Sequence, residues 1–144
     1  IGPAQTVTTS DGVSRVSVSP PALYTDAEDG RRALVVPVVI DVDSGTLKAS
    51  SNVWRVRTGS GLLLEGSTTN SLPRAIGTGE LTGHLEGDIY IPGYSLVGSS
   101  NKLADDVTIT DIELITPSAG DSTPALATWT LPEPLAVKDL PRHQ

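Results

Sequence analysis

Only two histidines occur in this 144-residue chain, and one of them stands where it could do chemistry. His84 lies in LTGHLEGD, with Glu86 and Asp88 following on the same run. A histidine oriented by a carboxylate is the base of nucleophilic hydrolysis, so a hydrolase using His84 is one reading of the chain. The nucleophile is harder to find. Ser95 in GYSLVG lacks the G-x-S-x-G elbow and the strand-turn-helix frame that exposes such a serine. His143 is second from the end of a Pro-rich stretch. A solvent-facing strand histidine beside Leu85 accounts for His84 more simply, and we expect a non-enzyme with no catalytic residue.

Metal chemistry has little to draw on. With no Cys and one well-placed His, zinc lacks ligands. Calcium needs clustered oxygens, and three acidic groups offer them: Asp26-Glu28-Asp29, Asp41-Asp43 and Asp105-Asp106. TDAEDG misses the spacing and the closing Glu of an EF-hand loop, so solvated carboxylates and turn caps explain these groups, and no metal is expected. GTGELTG has glycines without the Lys-Ser/Thr ending of a phosphate loop. No cofactor is expected.

Charge narrows the partners. Seventeen acidic against ten basic residues leave a net charge of −7, and the cations are scattered. Phosphate backbones and anionic membranes require a basic stripe, so neither is an expected partner. The acidity suits a soluble domain. Two of the five aromatic residues, Tyr90 and Tyr94, flank Pro92 and Gly93 at a strand-to-loop corner. Tyrosine is large, stiff and amphipathic, which makes this pair the candidate binding residues. A corner whose tyrosine is tied to backbone is the competing reading.

These residues must be carried by strands. Fourteen Gly and eleven Pro argue against long helices, and period-two apolar runs recur between turn signals. Strands are expected over 5–9, 14–19, 33–43, 52–58, 62–66, 80–93, 106–116 and 125–131, with 23–32 a polar loop or irregular edge. In 52–58, Trp54 and Val56 should face in, and Arg55 and Arg57 out. Glycines 83 and 87 suggest that 80–93 is bulged or divided. The stretch ALVVPVVIDVDSG is apolar on both faces at first and on one face later, with Pro37 in its middle. Proline gives no N–H to a ladder, so the strand should bulge or become an edge near Pro37. The sum is an all-β, immunoglobulin-like β-sandwich of about seven to nine strands, centred on Trp54. It forms a single domain over 1–131, followed by a Pro-rich C-terminal tail over 132–144. A chain of this length buries about 68% of its unfolded surface.

The order ALVVPVVIDVDSG, NVWRVRTGSG, LTGHLEGDIYIPG and ATWTLPEP resembles the immunoglobulin-like extracellular antigens and lipoprotein domains of mycobacteria and related actinobacteria. The immunoprotective extracellular antigen belongs to that group. GDIYIP matches its glycine-strand-proline segment, while the missing Phe and the long stretch 67–79 depart from it. The resemblance implies a secreted or cell-surface domain and brings no catalytic residues. The chain starts at Ile1, so a signal peptide or membrane anchor outside it is expected. We expect a non-enzymatic binding or scaffolding domain that meets a protein partner through loops 67–79 and 92–105. A structural subunit of a surface or phage assembly is the alternative.

Overall fold

The computed structural model describes residues 2–25, 30–68, 72–77, 79–93, 103–116 and 125–143. Among the described residues, nine strands form two antiparallel sheets. They are β1 (Gln5–Thr9), β2 (Gly12–Val18), β3 (Ala22–Thr25), β4 (Arg32–Lys48), β5 (Trp54–Thr58), β6 (Leu63–Glu65), β7 (Glu80–Pro92), β8 (Thr108–Leu114) and β9 (Ala127–Ala136). One sheet holds β1, β2, β3, β4 and β7; the other runs β6-β5-β8-β9. This is the expected immunoglobulin-like sandwich, with β3 formed where a polar loop or irregular edge was expected.

β4 organises the first sheet. Its residues 32–35 pair with β3 and its residues 38–45 with β2, end to end along one edge, while β7 takes the other. β4 is therefore central at Pro37, and its bulges lie elsewhere, between Val42 and Leu47 opposite β7 and at Val13/Ser14 of β2. The expected edge or bulge at Pro37 is absent for a clear reason. Ser19 donates its N–H to the Pro37 carbonyl at 3.0 Å, so the proline nitrogen faces the same way, toward the gap between β2 and β3. Pro20 and Pro21 occupy that gap. No ladder bond is lost, because the partner changes there.

The two faces of β4 follow the sequence pattern. Leu34, Val36, Val38 and Ile40 are buried in the core, and so is the opposing row Leu81, Ile89 and Ile91 of β7. On the other face Ala33 and Val35 are also buried, and nearby Tyr24 and Tyr90 meet edge to face at 6.2 Å. The second sheet contributes Val56, Ile112 and the stacked indoles of Trp54 and Trp129, 5.7 Å apart. Trp54 Nε1 donates to the Ala49 carbonyl at 2.9 Å, fixing the crossover from β4 to β5. Both flanks are closed. Gln5 Nε2 reaches the Thr128 carbonyl at 2.5 Å, and the Ser67 N–H reaches the Tyr90 carbonyl at 3.0 Å.

Two expected boundaries move. β9 continues through Ala136 rather than ending at Leu131, because Leu131–Pro134 form a four-residue bulge opposite Thr110. Both prolines thus sit where no ladder donor is required. Beyond it Val137 and Leu140 are buried in the core, so this part of the expected tail is packed.

Backbones cross closely where β4 meets the β1–β2 hairpin. A Cβ on Gly45 would lie 1.9 Å from the Asp11 carbonyl oxygen, and Gly45 has φ +69. Gly61 has φ +86 but faces open space. Gly61→Ala should therefore cost about 1 kcal/mol from left-handed strain alone. Gly45→Ala should cost at least about 2 kcal/mol, since strain and a backbone collision add. Urea midpoints of the two variants check this order.

Candidate functional site

β4 and β7 bring His84 to a partner that its own strand does not supply. In the register, Asp41 of β4 lies opposite His84, and Arg15 of β2 lies on the other side of Asp41. His84 Nδ1 and Asp41 Oδ1 are 2.5 Å apart, and the histidine side chain is 59% exposed. The orienting carboxylate is therefore Asp41, and not Glu86 or Asp88. Residues two apart on one strand point the same way but are separated by nearly 7 Å, whereas cross-strand neighbours touch. The hydrogen bond to Asp41 raises the His84 pKa above its ordinary value. Asp41's charge adds to this, desolvation opposes it, and Glu86 contributes a smaller increase.

Asp43 completes this face. Arg15 donates to it from Nε at 3.2 Å and from a terminal nitrogen at 3.3 Å. That contact holds the guanidinium pKa above its usual value, the hydrogen bond first and Asp43's charge second. The Asp41-Asp43 group considered for calcium is thus directed at a histidine and an arginine. Asp105 is likewise paired, with Arg32 at 2.7 Å. Residues 26–29 lie outside the described residues. Among the described residues no group of three or more acidic or His side chains is arranged to hold a metal ion.

A second polar cluster was not foreseen. Arg55, expected to face out, is only 2% exposed. Glu113 of β8 stands opposite it and receives Arg55 Nε at 2.6 Å and Arg57 Nε at 3.0 Å on one oxygen. Thr128 of β9 donates to the other oxygen at 3.5 Å. The next row repeats the pattern, with Asp111 accepting from Thr130 at 2.6 Å and Thr110 at 2.9 Å. Alternating charged residues on 52–58 and 106–116 were visible in the sequence; that the two runs are neighbours was not.

The binding candidates separate. Tyr90 is 7% exposed within β7, its ring against Tyr24, and its N–H donates to the Ser51 hydroxyl oxygen at 3.2 Å. Tyr94 lies outside the described residues. Of the two partner loops, residues 69–71, 78 and 94–102 are also outside them. The described part of 67–79 lines the edge of β7. Asp88 donates its N–H to the Arg74 carbonyl at 2.8 Å, Ile76 donates to the Asp88 carbonyl at 3.0 Å, and Ile76 enters the core. In the other loop, Leu103 is buried and its carbonyl accepts from Arg32 at 3.0 Å. Two clefts share Lys48. One, of about 180 Å³, is lined by Asp11, Leu47, Ile115 and Leu126 among others; the second, of about 150 Å³, by Ser50, Asn52 and Gly79. Sites for drug-sized ligands run from about 300 to 1,000 Å³.

No family model and no curated protein matches this chain. Among solved structures, a secreted protein from Mycobacterium tuberculosis, MPT63, shares its fold. The TM-score is 0.60 at 15% sequence identity, covering 89% of this chain and 92% of that one. The resemblance drawn from the strand order is thus carried by the backbone architecture.

Two measurements test the polar clusters. Glu113→Ala takes the 2.6 Å carboxylate from a buried guanidinium and should cost about 3 kcal/mol. Arg57→Ala, at a partly exposed position, should cost no more than about 1 kcal/mol. Equal urea midpoints for the two would contradict the buried pair. For His84 the folded pKa lies above the unfolded value of about 6.5. Its stabilisation is then complete below that value and is lost as pH rises through the folded one. The difference in urea midpoint between wild type and His84→Gln should be largest in mild acid and close at alkaline pH. An NMR titration of the imidazole gives the pKa directly.

Proposed function

We propose that this protein is a non-enzymatic, extracellular or surface-anchored domain that binds or scaffolds a protein partner. One observation carries the reading: His84, the candidate base, engages Asp41 on an exposed sheet face. Its cross-strand neighbours are Asp41 and, beyond that, Arg15. The exposed pair braces two strands.

The fold adds support. An aliphatic sandwich without Cys needs no redox compartment to form, and it presents its connections as contact surfaces. The likeness to MPT63, described as secreted, favours a place outside the cytoplasm. Loops 67–79 and 92–105, with Tyr94 in the second, are the contact surface in this reading, since Tyr90 is buried. Exposed Pro73 and Arg74 present the first loop.

Fractionation of the native organism with a specific antibody tests the location. Recovery from culture filtrate or the cell surface is expected, and confinement to the cytoplasm would overturn that part. For chemistry, wild type and His84→Ala should be equally inert on a broad ester and glycoside panel. Turnover by wild type that vanishes in His84→Ala would replace the binding reading with a hydrolase.

A further inference from the structure

The last described residues leave the sheet they come from and finish the other one. After the bulge, Leu135 pairs with Ile109, and the Val137 N–H reaches the Val107 carbonyl at 2.8 Å. Lys138 donates to the Asp105 carbonyl at 3.2 Å. Val137 and Leu140 then enter the core. Finally the chain lies parallel to β3, along the edge that β4 does not use. Leu23 donates to the Pro141 carbonyl at 2.7 Å, His143 donates to the Leu23 carbonyl at 2.8 Å, and Leu23 is bridged to Arg142. The His143 ring sits 6.3 Å from that of Tyr24. Residues 135–143 therefore form a strap held by residues 23–24 and 105–109.

We propose that this strap exchanges between two copies of the chain, so that the outer edge of β3 is an interface for the strap of a second copy. Three features carry the inference. The bonds named above all go to residues outside it, so a strap from another copy satisfies them equally. Its link to the rest of β9 is Leu131–Pro134, four residues opposite one. Pro132 and Pro134 bias Leu131 and Glu133 toward extended backbone. A straightened link carries the strap away from its own β3, at the cost of unpaired residues that a second copy restores. The exchange is reciprocal, as a two-fold interface demands, and creates a dimer from contacts already present. A strand from an unrelated protein could add to the same edge; it would lack the register that Val137 and Leu140 impose.

The chain has no Cys, so introduced ones report cleanly. Leu23→Cys and Arg142→Cys variants, prepared separately, are mixed, unfolded, refolded at high concentration and oxidised. The expected product is a disulfide-linked dimer at twice 14.9 kDa that needs both variants. A dimer formed as readily by either variant alone would overturn the proposal. So would a mixture that stays monomeric while the double variant closes within one chain. Light scattering on wild type refolded at about millimolar concentration stands apart from the cross-link. A rising dimer fraction supports exchange, and a strict monomer overturns it.

Discussion

The fold depends on burying the inner face of β4 in the core that contains the paired indoles of Trp54 and Trp129. No disulfide contributes, because the chain has no Cys. The driving force is removal of aliphatic surface from water, at roughly 25 cal/mol for each Å². The Trp54 hydrogen bond to Ala49 matters beyond its own modest energy. It sits where the chain passes from one sheet to the other, so it fixes how β5 enters the second layer. β8 pairs with β5, and β9 with β8, so that entry is inherited strand by strand.

Around this core the sheets treat their outer faces differently. The first sheet hides part of its outer face under Tyr24 and Tyr90 and leaves Arg15, Asp41, Asp43 and His84 in water. These exposed pairs contribute little to stability, and their value lies in register. The second sheet buries Arg55 and Glu113 together. Such a pair is costly to break and weak as a net stabiliser, because desolvation offsets most of the attraction. It does penalise any slip of β5 against β8, since a one-residue shift would bury an unmatched charge.

Strand positions were legible because period-two aliphatic runs bounded by Gly and Pro have few other solutions. The two-sided burial of the first half of β4 was legible too, as was the placement of Trp54. What could not be read was adjacency. Asp41 and His84 are 43 residues apart and Arg55 and Glu113 are 58, and nothing local announces either pairing. Pro37 misled for the same reason: proline was judged against a strand with one partner per edge, whereas two strands share that edge in tandem. The C-terminal segment read as a tail because Pro132 and Pro134 look like strand breakers, and a wide bulge accommodates both.

The tandem arrangement has a mechanical side. Where Pro20 and Pro21 carry the chain from β2 to β3, these prolines and Pro37 have no N–H to give, and the Ser19 bond to the Pro37 carbonyl is what ties the sheet across that line. β2 and β3 are therefore separate leaves hinged on a common spine, and a disturbance of one need not travel to the other. Slow breathing of the sheet should divide along this crease, letting the leaf that carries β3 loosen while β1 and β2 stay shut.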